Sequence, residues 1–223
     1  MDISKHFEFF DPSKVDDRIH IIGCGSVGSV LAENLARLGL TKFTLYDFDI
    51  VEAKNIANQM FVQSDIGAQK VDAVARIMTD INPDIAKELV LCREGYTGQR
   101  LSGYVFLCPD SIDVRRKIVE DNMENASIKA VFDFRTGLTF AQHFSANWQQ
   151  YREKKNLLNS MQFTHEEAKL EAPVSACNIE QSVAPTIRVI VALGVSNFMN
   201  FAIKGTLKKL IQSDAFGYVI EAY

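Results

Sequence analysis

Hydrophobic and polar positions alternate between two periods along the first half of the chain. Arg18-Ile19-His20-Ile21-Ile22 is a short, nearly continuous apolar run that ends at a glycine, as buried parallel strands do. Val27, Leu31, Leu35 and Leu38 then recur at helical spacing, and Gly39 predicts the stop. Lys42-Phe43-Thr44-Leu45-Tyr46 reads as a second strand. From Asp47 to Ile66 both periods fail, which predicts a long loop with one helical turn. Loops of that length inside a compact domain are usually functional or disordered. Helical spacing resumes from Gly67 to Ile81 and stops before Asn82-Pro83. Leu89-Val90-Leu91 and Tyr104-Val105-Phe106-Leu107 predict further buried strands, and Ile112 to Met123 a charged amphipathic helix.

The second half is less regular. Ala130-Val131-Phe132 and Leu138-Thr139-Phe140-Ala141 predict two strands around Arg135-Thr136-Gly137. Asn147 to Pro173 is polar and charge-rich, with a helix expected near Trp148–Leu158. Gln181 to Ile203 predicts a long buried helix, and Phe216 to Ile220 a final strand. No repeat or linker interrupts the pattern, so residues 1–223 are expected to form one domain, with a nucleotide-binding half at 18–137 and a crossover and C-terminal part at 138–223. Repeated βα units give an α/β, doubly wound, mostly parallel sheet, with antiparallel additions in the C-terminal part.

Composition narrows the classes. Of 223 residues, 47% are hydrophobic and 23% charged, which excludes disordered and collagen-like chains. The greasiest stretch, Val189 to Phe201, is cut by Ser196, Asn197 and Asn200, short of the ~20 apolar residues a bilayer needs, so no membrane partner is expected. The first six residues lack the basic-then-apolar pattern of a signal peptide. A net charge of −4 gives no reason to expect nucleic acid. Cys24, Cys92, Cys108 and Cys177 lie far apart without a C-x-x-C pair, so a zinc site and a disulfide framework are not expected. A reduced, cytoplasmic protein is the expectation.

Ile22-Gly23-Cys24-Gly25-Ser26-Val27-Gly28-Ser29 carries G-x-G-x-x-G directly between a strand and a helix. The glycines permit a tight turn and close backbone approach to phosphate, and the helix start adds unpaired N–H groups. Asp47 follows Gly28 by nineteen residues, where it can hydrogen-bond a ribose. Nicotinamide, flavin and adenylate binders all fit these two features.

The next stretch separates them. Tyr46-Asp47-Phe48-Asp49-Ile50-Val51, then Asn55-Ile56-Ala57-Asn58-Gln59, resembles the D-x-D-x-V and N-L-x-R-Q signature of the ubiquitin-activating-enzyme-like ThiF/MoeB/HesA family. Gly67-Ala68-Gln69-Lys70 resembles its G-x-x-K segment, and Asp110 with Arg115 its D-x-x-x-x-R. Asp133-Phe134-Arg135-Thr136-Gly137 is similar to a D-x-R-x-G element of some bacterial and phage members.

That resemblance implies a Rossmann-like fold and an ATP-dependent adenylyltransferase acting on the C-terminal glycine carboxylate of a small ubiquitin-like or sulfur-carrier protein. By family position Gly23, Gly25, Gly28, Asp47, Asp49, Asn55, Asn58, Gln59 and Lys70 would bind the nucleotide. Lys70 would also neutralise phosphate charge, Asp110 would hold Mg²⁺, and Arg115 would assist catalysis. No general base is needed, because the carboxylate is already ionised; the work is positioning and electrostatics. The resemblance also implies a homodimer. Taken singly, Lys70 is equally a surface lysine, Asp110 a helix cap, and Arg115 and Arg135 structural charges.

Three departures matter. Asn58 stands where the family has arginine, no N-terminal arginine matches the one many members insert into a partner's site, and the paired-cysteine zinc site is missing. Cys177, ahead of the last long helix, matches a position where some members carry a carrier-accepting thiol; a small buried residue is the alternative. Two other functions therefore stay open: a catalytically weak dimeric scaffold, motivated by Asn58, and an NAD-dependent oxidoreductase, which leaves Lys70 and Asp110 without a task.

Overall fold

The computed structural model describes residues 1–164, 166–167 and 181–223. β1 (Ile19–Ile22), β2 (Phe43–Tyr46), β3 (Val90–Cys92), β4 (Gly103–Leu107) and β5 (Ile128–Thr136) are parallel. β6 (Phe140–Asn147), β7 (Leu210–Asp214) and β8 (Val219–Ala222) continue the same sheet antiparallel. The order across the sheet is β3-β2-β1-β4-β5-β6-β7-β8. The helices are α1 (Ser26–Arg37), α2 (Lys70–Ile81), α3 (Ile112–Asp121), α4 (Tyr151–Asn159) and α5 (Ala184–Lys204). This is the mostly parallel, doubly wound sheet with antiparallel additions that the patterning predicts.

β1, β2 and β4 are buried at every residue, which is why each reads as an unbroken apolar run. β3 departs from the expected buried strand: it is the sheet edge and Val90 is exposed. The two strands expected around Arg135 are longer, nine and eight residues, because they pair with each other as an antiparallel ribbon that buries polar Asp133, His143 and Ser145. Trp148 lies before α4 rather than in it. It is buried, with Nε1 donating to the Asn122 carbonyl at 2.9 Å. The C-terminal strand is half of a β7–β8 hairpin; Leu210–Asp214 escaped the patterning because polar Gln212 and Asp214 dilute a short run.

α5 is 21 residues, long and apolar enough by length and composition to cross a membrane. Here it is packed on protein: Ile187, Ile190, Val191 and Phe198 are fully buried, and the helix contacts α1, β5, β6 and β7. Asn197, which interrupts its apolar run, donates to the Ser145 hydroxyl at 3.1 Å and the Lys208 carbonyl at 2.8 Å. Such partners let a polar side chain sit in a core helix.

The chain reverses its winding between β1 and β4, which places a crevice beyond their carboxyl ends. Two glycines make that corner close-packed. Gly23 has φ +93°, and a Cβ there would lie 2.7 Å from the Cys108 carbonyl carbon. A Cβ on Gly28 would lie 1.8 Å from the Gly23 carbonyl oxygen, so α1 rests on the exit of β1 only because residue 28 lacks a side chain. Gly25 is different: a Cβ there meets nothing within 4 Å.

Two buried histidines are the ones that respond to acid. His20 accepts from the Ser102 amide at Nε2 (3.2 Å), so Nδ1 carries the proton and donates to the Tyr46 hydroxyl at 2.8 Å. Burial, aided by Arg18, depresses its pKa from 6.5 to about 4. His143, fully buried against Phe134, is likewise held to about 4 by burial.

Gly28→Ala is expected to cost about 3 kcal/mol or more in urea unfolding, whereas Gly25→Ala leaves stability nearly unchanged. For both histidines the unfolded chain binds the proton first on acidification. Their contribution is therefore present above pH 6.5 and is lost as pH falls toward about 4. Each should add a slope of up to about 1.4 kcal/mol per pH unit across that window. Urea titrations of wild type and His143→Gln between pH 7 and 4 read it directly, the variant having the shallower slope.

Candidate functional site

A cleft of about 720 Å³ occupies the crevice predicted by the winding. Its walls include Gly23 and Gly25 from the glycine loop, Asp47, Asp49, Asn58, Gln59 and Lys70 from β2 and the loop after it, and Asp110, Arg115 and Arg135 from the exits of β4 and β5. Of the residues singled out in the sequence, these come together in space.

The loop after β2 has its own internal scaffold. Asp47 is nearly buried at the end of β2; Oδ2 accepts from the Cys24 amide at 2.6 Å and Oδ1 from the Asp49 amide at 2.8 Å. Burial raises its pKa, against the opposing pull of those amides. The ribose position of the resemblance is thus also the clasp that ties the glycine loop to β2. Asp49 accepts from Lys70 Nζ at 2.7 Å, and its carbonyl accepts from the Lys70 amide at 2.9 Å. Lys70 is nine-tenths buried at the first position of α2, so it is not a solvated surface lysine. Its ammonium is held at the cleft wall by one partly exposed carboxylate.

Two expected contacts fall elsewhere. Asn55 does not border the cleft. It is buried in a single 3₁₀ turn, Ala53–Ala57, where Oδ1 accepts from the Glu52 amide at 2.8 Å in a reciprocal cap. Gly28 is a packing glycine below the cleft. Asn58 does reach the wall, where Nδ2 donates to the Ser182 hydroxyl. Gln59 keeps a buried Oε1 with no hydrogen-bond partner among the described residues, an acceptor suited to a ligand's N–H.

Asp110 is exposed to the cleft, and among the described residues no cation pairs with it. It does not cap α3. The cap is Ser111, whose Oγ accepts from the Val114 amide at 3.4 Å. Arg115 is the clearest departure from expectation. It is buried, donating to the Leu107 carbonyl at 3.1 Å, to the Pro109 carbonyl and to the Asp133 carboxylate. Rather than a cation free for the substrate, it is the brace that shapes the β4 exit on which Asp110 sits. Asp133, fully buried, takes a second guanidinium on its other oxygen: Arg135 Nε donates to Oδ2 at 2.7 Å.

The cysteines are poor candidates for thiolate chemistry where they can be described. Burial pushes the Cys24 thiol up, and the Cys108 thiol up to about 12. Cys177 lies outside the described residues. Sequence reasoning missed Phe48, Tyr96, Gln142 and Ser182 on the cleft wall. Phe48 sits between the two motif aspartates and is 71% exposed, a signal visible in hindsight; Gln142 and Ser182 reach the wall only through the β5–β6 ribbon and the start of α5.

The residues fit a hard cation bridged to phosphates better than a protein cage. Among the described residues no three His, Cys, Asp or Glu converge on one point, whereas Asp110 offers a single unpaired carboxylate beside the glycine loop. Magnesium is commonly bound through one or two carboxylates, with phosphate and water completing the octahedron.

Comparison with known proteins agrees with this geometry. The best-covered solved structures include that of MccB from E. coli with ATP, which superposes with a TM-score of 0.72 at 18% identity, over 95% of this chain and 65% of that one. Another, PaaA, superposes with a TM-score of 0.71 at 16% identity, with the same coverage of each chain. Among curated proteins, ubiquitin-like modifier-activating enzyme 5 of Drosophila persimilis is 41% identical over 88 residues, 40% of this chain and 22% of that protein. The Arabidopsis thaliana protein of that name is 41% identical over 70 residues, 31% and 16% of the two chains. The chain therefore spans about two thirds of its structural neighbours and under a quarter of these curated relatives. Residues 14–217 match the model of the ThiF family, and the chain belongs to that family.

Proposed function

We propose that this protein is an ATP-dependent adenylyltransferase that activates the terminal carboxylate of a small ubiquitin-like or sulfur-carrier protein ending in glycine. The observation that carries the reading is the meeting of a phosphate-sized glycine loop, a wall-mounted Lys70 and an unpaired Asp110 around one cleft at the sheet's switch point. The MccB structures supply the analogy: that protein was crystallised with ATP, and with AMPCPP together with MccA.

The chemistry asks little of acid–base groups. A carboxylate oxygen of the carrier attacks the α-phosphorus of ATP, and the bond to the oxygen bridging to the β-phosphate breaks. Pyrophosphate leaves with that electron pair, giving an acyl adenylate; no proton moves. This chain's residues must then hold two anions together and balance charge on the phosphate oxygens. Gly23 and Gly25 let backbone amides approach the phosphates, and Asp47 borders the place of the ribose while fixing the loop. Gln59 Oε1 is free to accept from the base. Lys70 carries a fixed positive charge on the cleft wall; the Asp49 carboxylate orients it and lowers its net field. Asp110 would hold Mg²⁺, which supplies charge neutralisation on the leaving phosphates.

A second reading rests on Asn58. Its side chain is uncharged and engaged with Ser182, so the family's arginine has no replacement at that position, and a slow or silent dimeric scaffold follows. Pyrophosphate exchange into ATP, with a panel of glycine-terminated carriers and Mg²⁺, separates the two. Carrier-dependent exchange is expected. Its absence with every carrier, despite ATP binding, favours the scaffold.

Asp110→Asn should lower exchange on the order of 10²-fold or more, because charge at the metal is lost at constant side-chain size. Its melting temperature should match wild type, since Ser111 and not Asp110 caps α3. Wild-type exchange in that variant would remove Asp110 from the site. We also propose a homodimer, for which light scattering at micromolar concentration should give about twice the 25.0 kDa chain mass.

A further inference from the structure

The two-arginine cluster at the exit of β5 is not balanced. One buried carboxylate, Asp133, faces two guanidiniums, Arg115 on Oδ1 and Arg135 on Oδ2, so the group keeps a net charge of +1. Both border the cleft, but Arg115 is the more buried and is engaged with the carbonyls of Leu107 and Pro109, whereas Arg135 is held by Ser160 and keeps twice the side-chain exposure, 14% against 7%. Arg135 is also held rigidly. Nε is bound to Asp133 at 2.7 Å, Nη1 to the Ser160 carbonyl at 2.7 Å and Nη2 to the Ser160 hydroxyl at 2.8 Å. Its guanidinium carbon lies 4.2 Å from the centre of the Phe144 ring. Of five N–H groups these contacts use three, leaving one on Nη1 and one on Nη2.

Position along the sheet says which anion these donors meet. The cleft runs past the carboxyl ends of β2, β1, β4 and β5, with Asp47, the glycine loop, Asp110 and Arg135 in that order. Neighbouring strands lie about 4.8 Å apart, so Arg135 is about 14 Å across the sheet from the ribose end. A nucleotide laid from Asp47 past the glycine loop has its phosphates near Asp110 and leaves the β5 end for the second reactant. Among the described residues that end is lined by Thr136, Gly137, Phe140, Gln142 and Phe163, and Arg135, with the more buried Arg115 behind it on Asp133, supplies the charge there. A partly desolvated guanidinium with aromatic neighbours binds a carboxylate better than an exposed one would.

We propose that Arg135 is the receptor for the free terminal carboxylate of the protein or peptide to be activated, and that Asp133 is the positioning residue that aims it. This rests on the adenylation reading and adds to it the residue that tells a carboxylate end from an amide end. It also offsets the charge repulsion between carboxylate and phosphates, which the uncharged Asn58 cannot do.

The test uses acetylglycylglycine as a minimal carboxylate tail and its C-terminal amide as the control, each titrated by NMR into the full chain saturated with AMPCPP and Mg²⁺. Wild type should bind the acid and discriminate against the amide by about 30-fold or more; Arg135→Gln should bind both alike and weakly. Calorimetric titration of AMPCPP should give the same affinity for wild type and Arg135→Gln. If Arg135→Gln fails to fold, Arg135→Lys, which keeps charge but loses the fork, should retain only part of the discrimination. Failure of wild type to bind AMPCPP would overturn the adenylation reading itself. Binding of AMPCPP without preference for the acid, or a folded Arg135 variant with wild-type preference, would overturn the present proposal alone.

Discussion

The buried carboxylate of Asp133 is the interaction on which the site's geometry depends. It is fully buried on β5, opposite Leu107 of β4, and gathers guanidiniums from α3 and from its own strand. Through Arg115 it fixes the carbonyls of Leu107 and Pro109, and through Arg135 it fixes Ser160 at the end of α4. One side chain thus ties two strands and two helices together beneath the cleft. Removing one partner of such a buried pair typically costs about 3–5 kcal/mol, because a charge is left without compensation. Burial is tolerated here because both carboxylate oxygens carry charge-assisted bonds.

On the other side of the cleft the same logic is carried by Asp47 and Asp49. Asp47 spends its acceptors on the Cys24 and Asp49 amides, which joins the glycine loop to the end of β2. Asp49 then holds Lys70 from both its side chain and its carbonyl. Motif residues therefore shape the cleft as well as border it. A substitution at Asp47 therefore releases the glycine loop from β2 whatever the cleft holds.

The arrangement is consistent with a reaction in which charge placement outweighs proton transfer. Two of the four histidines, His20 and His143, are buried, their pKa values are depressed to about 4, and neither lines the cleft. The cleft instead offers fixed cations on two sides, Lys70 and Arg135, with the unpaired Asp110 between the glycine loop and β5. Asn58 contributes only a neutral hydrogen bond, to the Ser182 hydroxyl.

Sequence alone determined the parallel half of the sheet, because β1, β2 and β4 are buried on both faces and their apolar runs are unbroken. The glycine loop was legible as well, because a tight strand-to-helix turn restricts the residue types allowed, and the D-x-D, lysine and Asp110 positions, marked by resemblance, line one cleft with it. Sequence alone could not fix the antiparallel part: β6 and β7 bury polar His143, Ser145 and Ser213 and leave Phe140 exposed, so no clean alternation marks them and their identity depends on pairing with β5 and with each other. Nor could it assign roles within the motif. Asn55 and Asn58 stand three residues apart, yet one caps a turn and the other meets Ser182 across 124 positions of chain. Arg115 and Arg135 have the same chemistry and both border the cleft, and only packing decides that one is taken up by the backbone carbonyls of the β4 exit while the other is held by Ser160 at the end of α4. Local residue preferences are written in the sequence; which of two like charges keeps access to solvent depends on burial, and burial is decided only when the strands and helices pack.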